Sequence, residues 1–155
     1  MKFSCEKALL QSMITIASRA VAPKSTIPAL EGVLLEAEQE LNLTGYNLKT
    51  GIRGTISADI AEPGSIVLSA RLFGDIIRRL PDDMVTLSTD DLMVNITCGM
   101  SEFNILGMDP SQFPELPAVE YQNSMILPQR ILHSMITETI FAVSTNDSRP
   151  IHTGE

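Results

Sequence analysis

The sequence predicts an α+β fold: a strand–helix–three-strand unit, duplicated, with its helices on one face of an antiparallel sheet. Three observations carry this. Leu10-Gln11-Ser12-Met13-Ile14-Thr15 returns as Leu132-His133-Ser134-Met135-Ile136-Thr137, and overlaying residues 1–33 on 123–155 also matches Ala20, Val21, Pro28 and Gly32 with Ala142, Val143, Pro150 and Gly154. Between those two copies the same order of periodicities restarts at Ser65. Helical stripes are followed each time by short alternating runs with turn residues between them.

Lys2 to Cys5 alternates as a short strand. Glu6 to Val21 then places Leu9, Leu10, Met13, Ile14, Ala17, Ala20 and Val21 at helical spacing, with Lys7, Gln11, Thr15, Ser18 and Arg19 on the other side. Pro23 ends the helix, and Lys24 to Pro28 is a loop restrained by proline at both ends. Leu30–Ala37, Leu41–Tyr46 and Ile52–Ile60 read as three strands, and Glu62-Pro63-Gly64 as a turn. The second unit follows: strand Ser65–Ser69, helix Ala70–Leu80 with Leu72, Phe73, Ile76, Ile77 and Leu80 on one side, and strands Met84–Ser88, Leu92–Cys98 and Glu102–Leu106. These elements define a domain over residues 1–108. Three prolines between Asp109 and Leu116-Pro117 mark residues 109–122 as a stiff extended connector. Residues 123–155 open a third unit, with a strand over Ser124–Leu127 and a helix from Pro128 to about Ile140. That copy stops where the first enters Val33-Leu34-Leu35, so the chain reads as a piece of something longer. Its last segment, unable to complete a core alone, is expected to be partly disordered or docked on a neighbour, with weak amide protection in a dilute monomer.

A hydrophobic fraction of 44% suffices for a core built on Leu, Ile, Val and Met rather than aromatics, and argues against disorder. Cys5 and Cys98 sit far apart in apolar runs and read as two buried free thiols. Charge interrupts the N-terminus too early for a signal peptide, and no run approaches membrane length, so a cytoplasmic protein without membrane attachment is expected. The net charge of −8 argues against indiscriminate nucleic-acid binding but leaves room for a local basic face.

No catalytic, cofactor or metal constellation emerges. His133 and His152 have no partner at metal-ligand spacing, and the pairs Asp82-Asp83 and Asp90-Asp91 fall in turns, where Asp serves its own hydrogen bonding. No phosphate-binding glycine loop is present. The basic residues are more informative. Arg71 and Arg78 lie two turns apart on one face of the second helix, flanked by Arg79. Lys7 and Arg19 fall on the polar side of the first helix and Lys24 in the loop after it. Helices covering one sheet turn their polar faces the same way, which yields one basic, helix-lined surface. Ordinary solvated faces of mixed charge, with Asp75 and Glu6 nearby, are the alternative.

Met1-Lys2-Phe3, Thr26-Ile27-Pro28-Ala29-Leu30-Glu31-Gly32, Leu43-Thr44-Gly45-Tyr46-Asn47-Leu48, Pro63 to Arg71 and Phe141-Ala142-Val143-Ser144 with Arg149-Pro150 together resemble the bacterial DNA polymerase III beta subunit family, the replicative sliding clamps. The resemblance implies the DNA clamp fold: three like domains per protomer, two protomers closed head to tail around duplex DNA, helices lining the hole. It implies a non-catalytic processivity factor without cofactors, which tethers the replicative polymerase and is handled by a clamp loader. By position in the family pattern, Lys24, Arg71 and Arg78 would face the hole, with Asn146 and Arg149 joining from the second domain. Ile76, Leu80, Phe103 and Ile105 would form the homodimer contact, although their plain reading is core. That contact meets a third domain, and the peptide cleft lies mainly between the second and third. These 155 residues are therefore expected neither to close a homodimer ring nor to hold partners beyond the Arg149–His152 region. Two rivals stand beside this reading: a free-standing clamp-like module that binds or caps a full clamp through Phe103 and Ile105, and a metal-dependent nuclease using the paired aspartates.

Overall fold

The computed structural model describes residues 1–118 and 125–144. The chain divides into two compact units, Met1–Leu116 and Pro117–Glu155.

In the first unit β1 (Lys2–Glu6) runs directly into α1 (Lys7–Ala17), which tightens into a 3-10 turn at Ser18–Ala20. Pro28 fixes the first φ of another short 3-10 turn, Pro28–Glu31, where a strand start was expected. Then come β2 (Gly32–Ala37), β3 (Leu41–Tyr46), β4 (Gly51–Ile56) and β5 (Asp59–Glu62). The second repeat supplies β6 (Gly64–Ser69), α2 (Ala70–Arg79), β7 (Met84–Asp90), β8 (Met93–Cys98) and β9 (Ser101–Leu106).

The strands form two antiparallel sheets rather than one, in the orders β5-β1-β7-β8-β9 and β4-β3-β2-β6. The repeats exchange their first strands. β1 lies against β7 of the second repeat, with Phe3 opposite Leu87, while β6 lies against β2 of the first, with Leu68 opposite Val33. The single strand expected over Ile52–Ile60 is two. The chain leaves one sheet after Ile56 and joins the other at Asp59, where Ile60 pairs with Phe3. Ile52, Ile56, Ala58 and Ile60 all pack partly buried against the same core, so the alternation passes through the crossing unbroken.

That core is shared by both sheets and both helices. Phe3, Leu87, Val94 and Ile96 meet Leu35, Leu43, Ile66 and Leu68, with Leu10, Ile14, Phe73 and Ile77 above them. Each such side chain contributes about 1.5–3 kcal/mol on leaving water, an upper figure for a chain that is partly collapsed when unfolded. Leu9 and Leu72, expected on the buried stripes, are instead 42% and 48% exposed. Cys5 and Cys98 are buried free thiols, and Cys98 donates to the Pro81 carbonyl at 3.6 Å.

The proline-rich stretch differs from the extended connector expected over residues 109–122. Its first part is a strap on the four-stranded sheet. Val67 and Met108 exchange backbone hydrogen bonds of 3.2 and 2.8 Å, and Pro110–Gln112 makes a 3-10 turn. Asp109 accepts from the Ser111 amide at 2.8 Å, and hydrogen bonding from Ser111 lowers the Asp109 carboxyl pKa. Phe113 is then buried with Ala29, Leu30, Tyr46 and Val67 in a second small core. A phenyl ring with that much apolar surface to hide overrides the extended bias of the flanking prolines.

In the second unit α3 spans Gln129–Thr139 and runs into a 3-10 turn at Ile140–Ala142. Its apolar side is uncovered among the described residues: Ile131, Leu132, Met135 and Ile136 are 52%, 44%, 56% and 41% exposed. Met125–Leu127 carry no strand, since pairing needs a second strand and none is described in this unit; Ser124 lies outside the described residues.

Candidate nucleic-acid interface

Helix α2 places the basic pair. Ser69 caps it by accepting from the Leu72 amide, and Arg78 and Arg79 in the last turn suit the negative end of the helix dipole. Ala70, Phe73, Ile76 and Ile77 are buried, which leaves Arg71, Asp75 and Arg78 on the outward side. Helix α1 buries Leu10, Met13, Ile14 and Ala17 and so turns Gln11 and Thr15 outward, continued by Ser18. The two outward sides meet as the walls of a groove of about 270 Å³ with Ile14, Ala70 and Gly74 at its floor. At one end Arg71 also borders a hollow with Ser18, Pro23 and Glu31. The loop carrying Lys24 starts there. It is held by Ala22 donating to the Leu30 carbonyl (3.0 Å), Ser25 donating to Glu31 Oε1 (3.0 Å) and Ile27 donating to Ser25 Oγ (3.1 Å).

Arg71, Arg78 and Lys24 are all exposed. Arg78 is ion-paired with Asp75 through Nη2 and Oδ1, whereas Arg71 and Lys24 have no ion pair among the described residues. Lys7 leaves this face. Its Nζ reaches Asp82 Oδ1 at 2.8 Å, and its side chain is only 12% exposed. Arg19 borders a different hollow with Ala8, Ile16 and Asp82. The basic surface is therefore narrower than the helical spacing predicts. Asn146, Arg149 and His152 lie outside the described residues.

Of the four residues implied as a dimer contact, Ile76, Leu80 and Ile105 are buried at 8%, 4% and 8% exposure, while Phe103 is 39% exposed. β9, which carries Phe103 opposite Ile96, ends the five-stranded sheet, and no strand among the described residues pairs with its outer edge.

The aspartates of the nuclease reading have structural work. Asp82 holds Lys7, Asp83 Oδ1 accepts from the Met84 amide at 2.7 Å, and Asp91 takes the positive φ (53°) of the β7–β8 turn. Among the described residues no three His, Cys, Asp or Glu side chains converge as a metal site, and no helix is long and apolar enough to cross a membrane. Spacing did not reveal the facing wall of the groove or the withdrawal of Lys7. Both depend on how α1 and β7 come together in three dimensions.

Residues 1–117 match the family described as DNA polymerase III beta subunit, N-terminal domain. The beta sliding clamp of Staphylococcus epidermidis is 38% identical across 99% of this chain, which spans 44% of that protein. The crystal structure of the DNA polymerase beta subunit of Streptococcus pyogenes superposes with a TM-score of 0.92 at 36% identity, over 99% of this chain and 43% of that one. The sliding clamp of Bacillus subtilis superposes at 0.90 with 33% identity, over 97% and 42%. The chain thus spans less than half the length of these relatives, and it belongs to the DNA polymerase III beta subunit family, whose N-terminal domain it carries.

Proposed function

We propose that this chain supplies the DNA-facing N-terminal portion of a sliding clamp, with Arg71, Arg78 and Lys24 meeting the phosphates of duplex DNA. The observation that carries the reading is the groove between α1 and α2, where the free guanidinium of Arg71 borders both the groove and the hollow beside the Lys24 loop on a chain of net charge −8. Contacts of this kind are to the backbone, so they are independent of sequence and sensitive to salt, which suits a protein that moves along DNA. The role is non-catalytic and cytoplasmic: the closed ring keeps the replicative polymerase on DNA by topology, and a clamp loader opens it. Asn146 and Arg149 extend the same face from the next domain.

Ring closure runs through the free edge of β9, with Phe103 at the surface and Ile76, Leu80 and Ile105 supporting it from beneath. Residues 109–122 join the domain formed by 1–108 to the one that opens at 123, and 109–116 double as the strap.

The test is binding of the chain to a fluorescent duplex at low salt, followed by anisotropy across a salt series. Arg71→Ala with Arg78→Ala is expected to weaken binding several-fold and to flatten the slope of log K against log salt by about 2, from roughly 0.9 per lost phosphate contact. An unaltered slope in the double variant overturns this face as the DNA contact.

A further inference from the structure

We propose that Asp75 is a built-in competitor for phosphate: its carboxylate occupies Arg78 whenever DNA does not, and it limits how tightly the groove can hold a backbone. The inference rests on the reading of this groove as the DNA face.

Asp75 stands on the same wall as both arginines, four residues after Arg71 and three before Arg78. Its Oδ1 is paired with Arg78 Nη2. The Asp75 and Arg78 side chains are 42% and 63% exposed, so the pair sits in water-like surroundings where such contacts are weak and exchange readily. A phosphate can displace the carboxylate, but the carboxylate remains beside it as a like charge.

The opposite wall offers little compensation. The Thr15 hydroxyl donates its only proton to the Gln11 carbonyl at 2.8 Å and has none to offer an anion. The groove therefore presents one free guanidinium, Arg71, and one that is neutralised at rest. An arrangement built for tight grip would carry Asn or Lys where Asp75 stands. Here each phosphate reaching Arg78 is exchanged against an internal rival, so no single register of the duplex is strongly preferred over the next, and the barrier to movement along DNA stays low.

Asp75→Asn tests this by anisotropy with the same duplex, over about 20 to 200 mM salt. The expected result is binding about three- to tenfold tighter at the lowest salt, a slope of log K against log salt steeper by about 1, and a gain that fades at the highest salt as screening sets in. Asp75→Gln is expected to behave alike and covers the case in which the first variant misfolds. Glu40→Gln, an equal change of charge in the β2–β3 turn outside the groove, is expected to leave affinity within about twofold. Adding Arg78→Gln to Asp75→Asn is expected to remove the gain.

Unchanged affinity in both Asp75 variants overturns the proposal, as does a gain that Glu40→Gln reproduces or that survives the loss of Arg78. If the variants show no gain while Arg71→Ala with Arg78→Ala still weakens binding, the competitor fails and the DNA face stands. If the arginine double variant has no effect either, the face itself is lost.

Discussion

Thr44 is the one buried polar side chain without a hydrogen-bond partner among the described residues: 1% exposed, its hydroxyl lies on the outer side of β3 near the strap. Leaving such a group unpaired costs of the order of 1 kcal/mol, so Thr44→Val is expected to raise the urea midpoint by a comparable gain in stability. A loss instead would mean that the hydroxyl has a partner in solution. Gly45, its neighbour, works in the opposite sense. A Cβ there would run into the Ala17 carbonyl oxygen at the end of α1, so Gly45→Ala is expected to cost about 3 kcal/mol or more in the same measurement. Burial pushes the Cys5 thiol up from 9.0 to about 12, with the Glu6 carboxylate adding to the shift, and burial raises Cys98 as well. The unfolded thiols ionise near 9 while the folded ones stay protonated. Stability from this source is therefore complete below pH 9 and falls as pH rises toward 12, by about 1.4 kcal/mol per unit for each thiol. Chemical melts at pH 8 and 10.5 should show a smaller drop in Cys5→Ala than in the parent. Residue-scale chemistry was only partly readable in the sequence. The spacing of Arg71, Asp75 and Arg78 put them on one side of a helix, because helical periodicity is local. Lys7 was misplaced because its long stem answers to Asp82, which is 75 residues away.

At the level of elements, period and punctuation located nearly every helix and strand of the first unit, since Pro23, Pro63, Pro81 and the glycine turns cut the chain where the backbone turns. Two elements escaped for physical reasons. The switch of sheets between Ile56 and Asp59 leaves the inward alternation intact, so nothing in the side-chain pattern marks it. The strap was hidden because three prolines argue for an extended linker, whereas a single residue, Phe113, decides its place. Phe113→Ala is expected to cost about 3 kcal/mol and to release residues 108–116 as a unit. Hydrogen exchange at the Val67 and Met108 amides should then accelerate together, while β3 amides away from the strap remain protected. Retained protection at Met108 would show that the strap is held by its two backbone bonds rather than by the ring.

For the molecule as a whole, composition and repetition pointed to an α+β fold, but a period in sequence does not say which copy a strand pairs with. Pairing partners are set by closure of the shared core, in which β1 and β6 each complete the other repeat's sheet. Cleaving a 1–118 protein at Pro63 tests this. Residues 1–63 and 64–118 are each expected to lack a cooperative melt when alone, and to regain one when mixed, because each fragment holds a strand that the other requires. Independent folding of either half would contradict the exchanged pairing. The same exchange bears on ancestry. One strand–helix–three-strand repeat standing alone would have had no sheet for its own first strand, and two identical copies would have solved that by trading strands. The internal symmetry of the present domain is what an intertwined dimer of short chains leaves behind once a turn at Glu62-Pro63-Gly64 fuses its two genes into one.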